Sequence, residues 1–130
     1  FALKVTGMAR TDFVACRGGD KLTVGDVGIT MLHTPGHTPG SQCFLCESLL
    51  IAGDTLFISG CGRVDLPGGD TEQLFHSLTN QLASLPPDTV LYPGHWYDPE
   101  EHAPLSAVLK KNPYFSAKSL PEWLRLFGSG

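Results

Sequence analysis

A chain of 130 residues with 42% hydrophobic content has the length and apolar content for one domain with its own core, and its composition is not that of a disordered segment. Nine basic against thirteen acidic residues leave a net charge of −4, scattered rather than blocked, which speaks against nucleic-acid or acidic-membrane partners. No apolar run approaches the ~20 residues of a membrane span and no signal-peptide pattern opens the chain, so a cytoplasmic location is expected.

Along the chain, Phe13-Val14-Ala15 reads as a short strand and Arg17-Gly18-Gly19-Asp20 as a turn. Residues 21–24 and 27–32, joined by Gly25-Asp26, form a hairpin. Leu22 and Val24 share one face of its first strand, and Val27, Ile29 and Met31 share a face of the second. The stretch 33–54 follows. Pro35, Gly36 and Pro39 keep its first part out of helix and strand, so His37 is displayed on a loop. For the same reason the i, i+4 pair His33 and His37 is not a helical metal pair, and His33 is read as a residue that either supports a metal ligand from behind or hydrogen-bonds within the loop.

Residues 41–46 and 49–52 form a second hairpin across Glu47-Ser48, with Asp54 just past its end. A carboxylate there is costly to desolvate without compensation, and a divalent cation compensates it economically. Cys43-x-x-Cys46 downstream of the two histidines has the outline of an inverted zinc knuckle. The spacing from His37 is too short, however, and alternation places the two cysteines on opposite faces of a strand. Buried apolar cysteines are the better reading. Cys61 lies in a Gly-rich loop, either as a reactive thiol or, in the plainer reading, as a small residue in a tight turn.

In the loop 60–69, Arg63 has two readings: paired hydrogen bonds to a substrate carboxylate, or an ion pair with Asp65 that fixes the loop. Asp65 is read as structural. Asp70 caps a helix over 71–85 with Leu74, Phe75, Leu78, Leu82 and Leu85 on one stripe and His76 on the solvated side. Pro86-Pro87 ends it. The strand Val90-Leu91-Tyr92 then leads to His95, returning an imidazole to the same sheet edge as Asp54. Beyond Tyr97, His102 is read as exposed, 105–111 as a helix after Pro104, and Ser119-Leu-Pro-Glu122 as a capping box opening a last helix that packs Trp123, Leu124 and Phe127.

Thr34-Pro-Gly-His37-Thr-Pro-Gly, Gly53-Asp54-Thr-Leu-Phe, Gly60-Cys-Gly-Arg63 with Asp65, and Pro93-Gly-His95-Trp-Tyr97 resemble the second half of a metallo-β-lactamase-fold hydrolase. The branch is that of glyoxalase II (hydroxyacylglutathione hydrolase) and the persulfide dioxygenases, and the match runs in order over about residues 22–97. The resemblance implies an α/β chain with the αββα sandwich fold, of which residues 1–130 form the C-terminal half to two-thirds of a single domain. Residues 128–130 read as a linker or added tail.

By the same resemblance, His37 binds the first metal, Asp54 bridges two metals and is the catalytic carboxylate, and His95 binds the second. Arg63 and Tyr97 contribute to substrate binding. The implied activity is hydrolysis of a small-molecule thioester with two zinc ions that share and activate a water, ~3.5–4 Å apart. The alternative is a persulfide dioxygenase in which one iron is held by His37, Asp54 and a further histidine. The family's first ligand cluster, His-x-His-x-Asp-His, does not occur in residues 1–31. The expected partner is therefore a missing N-terminal segment or another chain. Half of the fold exposes an apolar sheet face, so association into a homo-oligomer is also open. On this reading the complete protein is the enzyme and the 130 residues alone are inactive. A different class also stays open: a non-catalytic half-domain that lacks a complete metal site and serves as an assembly or folding partner.

Overall fold

A computed structural model describes residues 7, 9 and 13–128. The run Phe13-Val14-Ala15, expected as a strand, has no regular structure, and Val14 is 73% exposed. So short an apolar run needs a neighbouring ladder to hold it. The turn at Arg17 is present: the Arg17 amide donates to Asp20 Oδ2 at 2.7 Å and the Asp20 amide to the Arg17 carbonyl at 3.0 Å.

Six strands, β1 (Lys21–Val24), β2 (Val27–His33), β3 (Gln42–Cys46), β4 (Leu49–Gly53), β5 (Val90–Pro93) and β6 (Ala103–Pro104), lie side by side in sequence order. Every neighbouring pair is antiparallel except β4 and β5. That parallel pair needs a crossover, which the helical segment between them supplies. The short β6 was not foreseen; it pairs Ala103 with Leu91 just before the helix that Pro104 precedes.

The pleat divides the sheet into two apolar faces. Cys43, Leu50, Ala52 and Leu91 point to one side and are wholly buried under Leu74, Leu78, Leu82, Leu105, Val108 and Trp123 of the helices. Each buried leucine there contributes about 1.5–3 kcal/mol relative to exposure. On the other side, Phe44, Ile51 and Tyr92 are registered across β3, β4 and β5 and stay 37–45% exposed, as do Val27 and Leu49 to similar degree. Cys46 belongs to this open face and Cys43 to the covered one, as alternation requires. All four cysteines are free thiols.

Asp70 caps the first helix through Oδ1, which accepts from the Gln73 amide at 2.8 Å. The single helix expected over 71–85 is instead wound in three ways: α1 (Thr71–His76), a π turn (Ser77–Gln81) and a 3₁₀ turn (Leu82–Ser84). Hydroxyls explain part of the change. Thr79 donates back to the Phe75 carbonyl and Ser84 to those of Asn80 and Gln81, competing with the regular ladder. His76 is exposed on this segment, as expected.

α2 (Leu105–Lys111) and α3 (Leu120–Phe127) complete the covering layer. Ser119 caps α3 by accepting from the Glu122 amide at 3.4 Å. Glu122 in turn accepts from the Lys118 amide, one residue earlier than a capping box has it. No helix among the described residues is long and apolar enough to cross a membrane.

Candidate metal centre

Two antiparallel steps make β2 and β4 point the same way, and β5 runs parallel to β4. The residues that follow these three strands therefore emerge at one edge of the sheet. His37 lies in the loop after β2, Asp54 directly after β4, and His95 two residues after β5. Buried hydroxyls tie two of these loops together: Thr34 Oγ1 lies 3.3 Å from Thr55 Oγ1 and 3.2 Å from Cys43 Sγ. Close backbone approach does the rest. A Cβ on Gly62 would fall 2.0 Å from the Asp54 carbonyl and 2.9 Å from His37 Cβ, and one on Gly94 would fall 2.9 Å from Asp54 Oδ1.

The three side chains meet at Asp54. His95 Nδ1–H donates to Asp54 Oδ1 at 2.6 Å, and His37 Nε2 stands 3.8 Å from Asp54 Oδ2. His37 Nδ1–H donates to the Arg63 carbonyl at 2.7 Å, which leaves Nε2 as the nitrogen without a proton in the neutral ring. His37 and Asp54 line a cleft of about 220 Å³ with Phe57, Cys61, Gly62, Arg63 and Tyr97. His95 is stacked on Tyr97, ring centroids 5.1 Å apart, and Phe57 meets Tyr97 edge-on at 5.0 Å. His33 follows its loop reading, donating from Nε2 to the Pro39 carbonyl. His102 is exposed and stacks on Tyr92.

Arg63 and Asp65 form a bidentate pair, both bonds 2.7 Å, so the loop-fixing reading of Arg63 holds in this structure. Its hydrogen bonds hold the Asp65 carboxyl down to about 2 and raise the Arg63 guanidinium. Burial pushes the Cys61 thiol up to about 12, which favours the small-residue reading over the reactive thiol. Sequence reasoning singled out neither Thr34 nor Thr55 nor Phe57. The only signal was their place inside the Thr-Pro-Gly-His and Gly-Asp-Thr-Leu-Phe motifs.

The donor chemistry suits a transition-metal ion in part. A ligating imidazole characteristically gives its other N–H to a carbonyl or carboxylate, as His37 does to Arg63, and a carboxylate stands across the cleft from its free nitrogen. His95 Nδ1 is engaged by Asp54 itself, so Nε2 is its remaining donor atom. Among the described residues no group of three or more His, Cys, Asp or Glu side chains is arranged to hold a metal ion. His37, Asp54 and His95 are thus a partial ligand set.

Residues 17–95 match the family model described as the metallo-beta-lactamase superfamily. The chain belongs to that superfamily. Among its relatives, a probable hydroxyacylglutathione hydrolase, glo2, of Schizosaccharomyces pombe is 41% identical over 86% of this chain and 45% of its own length. A probable zinc-dependent hydrolase of polyketide biosynthesis, BaeB of Bacillus velezensis, is 36% identical over 80% of this chain and 46% of its own. The crystal structure of ETHE1 from Myxococcus xanthus superposes with a TM-score of 0.82 at 36% identity, over 87% of this chain and 50% of that one. This chain of the metallo-beta-lactamase superfamily spans about half the length of the curated relatives it matches.

Proposed function

We propose that the complete protein is a metal-dependent hydrolase acting on a thioester, as glyoxalase II does, and that this chain is the C-terminal part of its single domain. The observation that carries the reading is the His37–Asp54 geometry: an imidazole oriented by the Arg63 carbonyl, facing a carboxylate across a cleft. His37, Asp54 and His95 would hold zinc together with ligands from the rest of the protein. Such a metal lowers the pKa of a bound water and polarises a carbonyl. Relatives described as a hydroxyacylglutathione hydrolase and as a zinc-dependent hydrolase support this choice.

The chain's own contributions follow from geometry. Gly62 and Gly94 let backbone close around Asp54, and His95 fixes one of its oxygens. Arg63 and Tyr97, both on the cleft wall, are the proposed substrate-binding side chains. Arg63 would reach a substrate carboxylate by exchanging its bond to Asp65. The open face bearing Phe44, Ile51 and Tyr92 supports a further part of the domain packing there, with a second copy of the chain as the other cover.

A second reading, a persulfide dioxygenase using one iron, draws on the fold match to ETHE1 and on the Gly60-Cys-Gly-Arg63 loop with Asp65. Paired assays of the complete protein with a thioester and with a persulfide separate the two. Thioester turnover that collapses in His37→Ala and Asp54→Asn supports the hydrolase. Oxygen uptake with persulfide alone supports the dioxygenase, and inactivity toward both rejects each. The 130-residue chain by itself is expected to be inactive, and thioester turnover by it that His37→Ala abolishes would overturn that.

A further inference from the structure

The loop that carries His37 is closed at its ends by its own bonds, from the Thr34 amide to the Ser41 carbonyl and from His33 Nε2 to the Pro39 carbonyl, both 2.9 Å, but its tip is less well tied. Pro35 and Pro39 have no N–H to give, and two amide bonds within the tip, Gly36 to the Thr38 carbonyl at 3.2 Å and Ser41 to the same carbonyl at 3.3 Å, are long. Three carbonyls of its first half are taken up from outside, by the helical segment that crosses behind it. The Gln81 side-chain amide donates to the His33 carbonyl at 2.7 Å. The Ser77 hydroxyl donates to the Pro35 carbonyl at 2.7 Å, and the Asp70 amide to the Gly36 carbonyl at 2.8 Å. The order is antiparallel: as the loop runs from 33 to 36, its partners run back from 81 to 70.

The contact is also close. Gly36 has φ +143° and a Cβ there would lie 2.4 Å from Leu74 Cβ, so the loop backbone lies flush on α1 one residue before His37. Ser77, a polar residue only 1% exposed, spends its hydroxyl on the loop rather than on its own helix. Ser77 and Gln81 bound the π turn, a departure from regular winding of the kind that recurs at functional sites.

We propose that Ser77 and Gln81 are positioning residues for His37: the π turn laces the loop carbonyls so that the backbone enters His37 at one angle. The Arg63 carbonyl then fixes the ring from the other side. This rests on reading His37 as a metal ligand, and it adds the device that orients it. The π turn is on this view kept because its hydroxyl and amide face the loop.

The test uses the complete protein with Ser77→Ala and Gln81→Glu. Gln81 is exposed, so Gln81→Glu removes the donor without disturbing the core. Ser84→Ala is the control, since that hydroxyl bonds only the Asn80 and Gln81 carbonyls within the same segment. The first readout, taken without metal, is the ¹⁵N spectrum of the His37 ring; the second is zinc affinity. Both loop variants are expected to shift or broaden the Nδ1–H signal of His37 and to weaken zinc binding roughly tenfold. Ser84→Ala should change neither, with a comparable shift in Tm. Unchanged His37 signals in both loop variants, or an equal change in Ser84→Ala, would overturn the proposal. Failure of the wild-type protein to bind zinc, with the ring signal still responding, would count against the metal reading and support the bracing.

Discussion

The hydroxyls of Thr34 and Thr55 meet at 3.3 Å in a position from which solvent is excluded, 0% and 2% exposed. Thr34 begins the loop to His37 and Thr55 follows Asp54, so one buried bond joins the two strand ends that carry the candidate ligands. Thr34→Val and Thr55→Val keep shape and remove a partner. Each is expected to cost about 1–3 kcal/mol because the remaining hydroxyl is left with poorer company. The double variant should cost less than the sum, and strict additivity in urea denaturation would show that the two groups do not act together.

Gly36→Ala should be among the most damaging single changes in the chain. It combines a φ of +143° with a Cβ placed 2.4–2.6 Å from Leu74 backbone and side-chain atoms. A loss of about 3 kcal/mol or more is expected. Gly28→Ala, whose Cβ meets nothing within 4 Å, should stay within about 1 kcal/mol of wild type. Equal midpoints for the two variants would remove the tight loop-on-helix packing from the picture.

Cys61, half-buried on the cleft wall, is expected to react with iodoacetamide at pH 8 more slowly in the folded chain than once the chain is unfolded, because desolvation holds its thiol protonated. The sign of the stability effect follows. A thiol raised from 9.0 to about 12 on folding contributes its stabilisation in full below 9.0 and loses it as pH rises through about 12. Peptide mass mapping after native alkylation reads the outcome, and labelling of Cys61 as fast in the folded as in the unfolded chain would contradict it.

The Arg63–Asp65 pair makes the opposite pH prediction. A carboxyl lowered from 3.8 to about 2 stabilises the loop above 3.8 and loses that contribution as pH falls through about 2. The Arg63 Nε–H resonance should hold its position down to about pH 4 and move only below it. Movement already near neutral pH would mean that the pair does not persist in solution. In Asp65→Asn the guanidinium is released toward the cleft, and the same resonance should move at all pH values.

Much of this was legible in the sequence. Gly25-Asp26 located the first hairpin and the prolines and glycines of 35–40 the His37 loop, through local backbone geometry, while the polar pair Glu47-Ser48 marked the second hairpin and the Asp70 side chain the helix cap. The placement of His37, Asp54 and His95 past strand ends at one sheet edge was readable from the strand order; in the structure His95 hydrogen-bonds Asp54 and His37 Nε2 stands 3.8 Å from its other oxygen. Phe13-Val14-Ala15 failed because an apolar run specifies a strand only when a neighbour pairs with it. The mixed winding over residues 77–84 was hidden because the bond from Ser77 to Pro35 spans a tertiary contact that helical periodicity does not encode. The open face was visible only in part, since alternation tells that Val24 and Val27 share a side but not that the side lacks a cover.

The most direct test is the metal content of the complete protein, purified from cells grown with zinc and iron and measured by elemental analysis for the wild type and for Asp54→Asn. The expected result is about two zinc per molecule, as in two-metal hydrolases, with a clear fall in Asp54→Asn. About one iron would favour the dioxygenase reading. A metal-free protein that still hydrolyses thioesters, or zinc retained in full by Asp54→Asn, would contradict the assignment of His37, Asp54 and His95 to a metal centre.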